Sequence, residues 1–141
     1  YTFLGLENVI DLNLESNLIE TVEEKGFYGL NSLINLDLSY YRIKLIQKKT
    51  FLGLRSLKRL NLRSNLIEYI EGESFLLNNK LEVLNLFENF IRFIGKNSFY
   101  GTLIKIDNKL MSQKIEYLEM CAFCGIREKQ EALNLENNLL T

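Results

Sequence analysis

Histidine and proline are absent from the 141 residues, and cysteine occurs only twice, as Cys121 and Cys124. Without histidine the chain lacks the usual proton shuttle of neutral pH, and no serine–histidine or cysteine–histidine nucleophile can be assembled. Without proline it lacks a common turn device. Two cysteines are too few for a disulfide framework, and a zinc site of about four ligands has no second cysteine pair or histidine to complete it. No Asn-x-Ser/Thr triplet occurs, so the chain has no standard N-glycan site even if secreted. No apolar run approaches the roughly 20 residues needed to span a bilayer. The start, Tyr1-Thr2-Phe3, has no basic region leading into an apolar one. Neither sign of charge is in excess: 17 basic and 18 acidic residues leave a formal net charge of −1. That balance, with no continuous basic stripe, predicts no nucleic-acid partner and no direct membrane contact from this segment. There is no glycine-rich phosphate loop, and the acidic pair Glu23-Glu24 is adjacent in the chain rather than opposed across a cleft. The expectation is a protein that is not an enzyme and needs no cofactor or metal.

What the chain does have is a period. Phenylalanine stands at every twenty-fourth position, as Phe3, Phe27, Phe51, Phe75, Phe99 and Phe123. A glycine column follows two residues behind, at Gly5, Gly29, Gly53, Gly101 and Gly125, broken only by Leu77. Between them an aliphatic pattern recurs, clearest as Val9, Leu12, Leu14, Asn17, Ile19 and Val22 and repeated as Leu57, Leu60, Leu62, Asn65, Ile67 and Ile70. Several columns in one register are the signature of a solenoid.

Each unit has a physical reading. Alternation over Leu12-Asn13-Leu14 is the period-two pattern of a short strand with one buried face. Stacked beside its equivalents about 5 Å away, such a strand forms a parallel sheet. Asn17, Asn65, Asn89 and Asn138 follow the strand where the chain turns away, and an amide there can satisfy backbone groups that the turn leaves unpaired. Tyr41 and Gln113 depart from that column. The phenylalanine fills the space between sheet and outer wall, and glycine behind it permits a tight turn or a close backbone approach. The outer segment, about ten residues, is open among short helix, 3₁₀ turn and extended chain.

The fifth unit places Lys105 and Asn108 where aliphatics belong, then regains the pattern at Leu110, Ile115, Leu118 and Phe123. A local slip would let Leu103, Ile104 or Ile106 compensate. A sixth copy begins one residue late with Leu133, Leu135, Asn138 and Leu140. The expectation is therefore a single solenoid over residues 1–141, of about five full repeats and a partial one. Neither end carries an evident polar cap, so it reads as a piece of a longer protein.

These columns resemble the leucine-rich repeat family, whose consensus is L-x-x-L-x-L-x-x-N. The best matching stretches run from Leu57 through Leu60 and Leu62 to Asn65, and from Leu81 through Leu84 and Leu86 to Asn89. The 24-residue length and the phenylalanine followed by glycine look like the typical subclass of Toll-like receptor ectodomains and small leucine-rich proteoglycans. The resemblance implies an α/β solenoid with a curved parallel sheet on its concave face and short helical, 3₁₀ or extended convex segments. It also implies a protein-binding role, and an extracellular or cell-surface location, with a cytoplasmic scaffold as the alternative.

On that scaffold the outward strand positions form columns across the inner face. Within them Tyr40, Arg59, Arg63, Val83 and Phe87 fall together over the second to fourth units. Aromatic and arginine side chains with apolar neighbours are the usual make-up of a protein-binding hot spot. The competing reading is ordinary scattered apolar surface, with Phe87 lying against Met111. Lys44, Lys48 and Lys49 read as solvated surface, as does the acidic strip Asp11, Glu15 and Glu20. Cys124 shares a column with Leu4, Tyr28, Leu52, Leu76 and Tyr100, which predicts a packed apolar thiol. Cys121 shares one with Lys25, Lys49, Glu73 and Asn97, which predicts exposure. Their different columns argue against an obligate disulfide.

Overall fold

The computed structural model describes residues 3–17, 19–105, 110, 113–127 and 134–141. Asp107, Lys109, Met111, Ser112 and Leu133 lie outside the described residues, as do the slip at Ile106 and the contact of Phe87 with Met111.

Two parallel sheets wind together. The inner one stacks β1 (Asp11–Asn13), β2 (Asn35–Asp37), β4 (Arg59–Asn61) and β6 (Val83–Asn85) in chain order. The outer one stacks β3 (Leu45–Ile46), β5 (Tyr69–Ile70), β7 (Phe93–Ile94) and β8 (Tyr117–Leu118). The 24-residue offset is the pairing register: Leu12 meets Leu36, Leu36 meets Leu60, and Leu60 meets Leu84. The outer segments, which the sequence left open, each combine a short extended piece with a run of hydrogen-bonded turns. No helix occurs among the described residues, so the convex layer consists of two-residue strands and turns.

Between the sheets runs a spine of stacked rings. Successive phenylalanines from Phe3 to Phe123 are 5.5–6.1 Å apart, centroid to centroid, with planes within 11° of parallel. Phe51, Phe75 and Phe99 are fully buried, and truncating a ring so placed costs roughly 3–5 kcal/mol. Leu36, Leu38 and their equivalents in later units bury the other side of the core. In the fifth unit Ile104 and Leu110 are buried with them.

The asparagine column works as a ladder. Asn65 Nδ2 donates to the Leu38 and Leu62 carbonyls at 2.9 and 3.0 Å, and its Oδ1 accepts from Ile43 N–H at 3.2 Å. Asn89 repeats the arrangement one turn on with Leu62, Leu86 and Ile67. Gln113 keeps both halves of the chemistry, accepting from Ile91 N–H and donating to the Leu86 carbonyl. Tyr41 keeps one: it is buried and its hydroxyl donates to the Leu14 carbonyl. All five column glycines have positive φ, from +72° to +106°, a region L side chains avoid. On Gly125 the Tyr100 ring lies so close that an added Cβ would fall 2.2 Å from it.

Candidate functional site

The inner sheet presents its outward side chains in ordered rows, and one row has a structural duty the sequence did not reveal. Asn13, Asn61 and Asn85 each accept, through Oδ1, the N–H two residues on, from Glu15, Arg63 and Phe87 respectively. Asp37 does the same with Ser39 N–H at 2.8 Å and also takes the Ser39 hydroxyl at 2.6 Å. Asn134 repeats it with Glu136 N–H. These are Asx turns that bend the chain out of the strand. The signal was present: five short acceptors in one column. Partial burial opposes ionisation of Asp37, but hydrogen bonds from the Ser39 hydroxyl, the Asn61 amide and Ser39 N–H outweigh it and hold the carboxyl below its usual value.

This row divides the five sequence-selected residues into two groups. Arg59 and Val83 are direct cross-strand partners near the start of their strands, both exposed. Arg59 Nη1 donates to Asn35 Oδ1 at 3.2 Å, and the Asn35 amide in turn donates to Asp11. The resulting concave depression is floored by Asp11, Asn35, Arg59 and Val83 beside the Asx row.

Tyr40, Arg63 and Phe87 form the second group, just past the strand ends, on the far side of the Asx turns. Their backbones are tied turn to turn, Tyr40 N–H to the Arg63 carbonyl and Ser64 N–H to the Phe87 carbonyl, both at 3.0 Å. The Arg63 guanidinium lies 5.4 Å from the Phe87 ring centroid, within cation–π range. Glu88 grips the same guanidinium twice, Nε to Oε2 at 3.1 Å and Nη2 to Oε1 at 2.8 Å. Hydrogen bonds from Arg63 and the Ser64 hydroxyl hold the Glu88 carboxyl below its usual value, while Glu88 raises the arginine's. Glu88 is a component that column reading missed, because its partner is 25 positions away rather than 24. Tyr40, Ser64 and Glu88 all have φ between 54° and 60°, a left-handed turn at the same place in each unit. That turn projects Tyr40, half exposed like Phe87, away from the core.

Elsewhere the surface is more organised than the sequence suggested. Lys48 pairs with Glu73 and Lys49 with Glu24, so these lysines bridge turns. On the outer sheet Tyr69, Phe93 and Tyr117 form a second ring column beside Arg92, which pairs with Glu68 and Glu116. The two cysteines differ most from expectation. Cys121 and Cys124 are joined by a disulfide, and Cys124 is exposed rather than packed. Column membership misled because Leu4, Tyr28, Leu76 and Tyr100, apolar members of the Cys124 column, are themselves exposed, and the tight turn they share brings the two cysteine Cα atoms within 4.6 Å.

A family model for the BspA type leucine rich repeat region matches residues 1–138 in six copies. The chain belongs to this leucine-rich repeat family. The resemblance read from the columns is thereby borne out. Among solved structures, a chain of the TLR13-ssRNA13 complex aligns at 27% identity with a TM-score of 0.68. That alignment covers 84% of the present chain and 16% of the other, so the repeats here span a small part of that protein. No curated protein matches. Because the aligned repeat protein was solved with single-stranded RNA, the exclusion of nucleic acid drawn from net charge is withdrawn.

Proposed function

We propose that the chain is a non-catalytic recognition module that engages a protein partner across its concave face, as part of an extracellular or cell-surface receptor. The observation that carries this reading is the Tyr40, Arg63 and Phe87 group: two half-exposed rings flanking an arginine already held in place by Glu88 and Phe87. An arginine fixed before binding loses less side-chain entropy on contact, and aromatic and arginine anchors supply most of the energy of typical interfaces. Arg59 and Val83 extend the same face and would form the second part of the footprint.

The test is titration of partners recovered by affinity capture against Tyr40→Ala, Arg63→Ala and Phe87→Ala, with Lys25→Ala as an outer-turn control. Each inner variant should weaken binding by about tenfold or more, and the control should not. Equal effects on inner and outer variants would sink the reading and leave a structural spacer without a concave-face ligand. Single-stranded RNA is the second reading, favoured by the RNA bound to the structurally similar repeat protein. Rings beside arginines suit stacking on unpaired bases. A single-stranded oligoribonucleotide titrated across salt concentrations separates the two, since phosphate contacts weaken by a slope of about −0.7 per contact in log–log form.

A further inference from the structure

We propose that Cys121–Cys124 is an exchangeable disulfide on the outer turn, a site that accepts two electrons from a dithiol while the solenoid stays folded. Both cysteines are exposed, and their bond closes a loop of sequence separation 3. So small a loop constrains the unfolded chain little, and exposed disulfides are the labile ones.

The turn itself does not need the bond. Cys124 N–H donates to the Cys121 carbonyl at 3.1 Å. The same hydrogen bond closes the cysteine-free turns, from Tyr28 to Lys25 at 2.9 Å, Leu52 to Lys49 at 3.0 Å, Leu76 to Glu73 at 3.2 Å and Tyr100 to Asn97 at 3.1 Å. Cys121 shares its left-handed φ with Lys25, Lys49, Glu73 and Asn97, so no cross-link is required to enforce it. The anchor beneath is also independent of sulfur: Ala122 is buried and Phe123 stacks on Phe99 at 5.8 Å.

In the reaction, one thiolate of the dithiol attacks one cysteine sulfur. The Cys121–Cys124 bond breaks as a mixed disulfide forms, and the other cysteine leaves as a thiolate. The reagent's second thiol then displaces the attached cysteine and closes the reagent into its own disulfide. The pair gains two electrons and takes up two protons, and the dithiol is oxidised by the same amount.

The test uses dithiothreitol on the native chain, alkylation by iodoacetamide, and mass spectrometry with far-UV circular dichroism in parallel. Two alkylations per chain are expected without denaturant, with an unchanged spectrum, and oxidised glutathione should restore the bond. In glutathione redox buffers both forms should be populated, whereas a structural disulfide stays oxidised. The double variant Cys121→Ser with Cys124→Ser should melt within about 5 °C of the parent. Trapping that requires denaturant, loss of the spectrum on reduction, or free thiols that oxidised glutathione fails to pair would each overturn the proposal.

Discussion

Replacing Asn65 by alanine isolates what the asparagine ladder contributes. Asn65 is buried, and its amide serves four backbone groups: the Leu38, Leu62 and Arg63 carbonyls and Ile43 N–H. After truncation the Leu62 carbonyl still accepts from Asn89 at 2.9 Å and the Arg63 carbonyl from Tyr40 N–H at 3.0 Å, so two groups, Ile43 N–H and the Leu38 carbonyl, lose their side-chain partner. A buried backbone group left unpaired costs roughly 1–3 kcal/mol, so with two such groups the expected loss is about 2–6 kcal/mol. That is large beside a total of roughly 0.05–0.15 kcal/mol per residue. The internal control is Asn17→Ala. Asn17 is exposed and donates to the Leu14 carbonyl at 2.7 Å, where water can replace it, so its loss should stay under about 1 kcal/mol. Urea unfolding followed by far-UV circular dichroism gives both values, and amide exchange at Ile43 localises the effect. The reasoning fails if Asn65→Ala costs less than about 1 kcal/mol, or if the two substitutions cost the same.

Acid should unfold the protein in part through Asp37, whose folded pKa is depressed by Ser39 and Asn61. A depressed carboxylate contributes stability in full above its unfolded value of about 3.9, and loses it as pH falls through the folded value. Urea midpoints measured from pH 5 to 2 should therefore fall more steeply for the parent than for Asp37→Asn, and parallel curves would refute the assignment. Gly95→Ala should destabilise by about 1–3 kcal/mol, because the added Cβ would meet Gly72 N at 2.4 Å, a backbone atom that cannot rotate away. An unchanged thermal midpoint would show that the outer strands separate without cost.

The sequence made the core legible because every core position recurs. Phe123 identified a fifth unit whose aliphatic positions 105 and 108 are polar, and the ring stack runs through to it. Asn138 was recognised despite its one-residue delay, and it still accepts from Ile115 N–H at 3.0 Å, so the turn chemistry recaptures the register after the slip. The candidate residues were chosen by type, and their arrangement was only partly legible. Alternation placed Arg63 and Phe87 on the outward side, whereas Tyr40 is in phase with the buried Leu36 and Leu38 and reaches the surface only through its left-handed turn; the Asx row that separates them from Arg59 and Val83 also depends on local backbone bending. The Arg63–Glu88 grip crosses columns, so a reading organised by columns passes over it. The disulfide escaped for a related reason: the bond depends on two columns three residues apart meeting across one tight turn, with Cα atoms 4.6 Å apart, and columns compared one at a time do not show it.

The ring spine makes the turns interchangeable parts. Each buried phenylalanine meets the one before it and the one after it at nearly the same distance and angle, so no turn is specified by its place in the series. A deletion of 24 residues would return every column to phase and shorten the solenoid by one strand spacing, about 5 Å. A deletion of one residue would put rings, glycines and asparagines out of step together. Length is thus inherited in whole steps. The reach of the concave face can grow or shrink by duplication and loss of turns, without any new solution to the packing of the core.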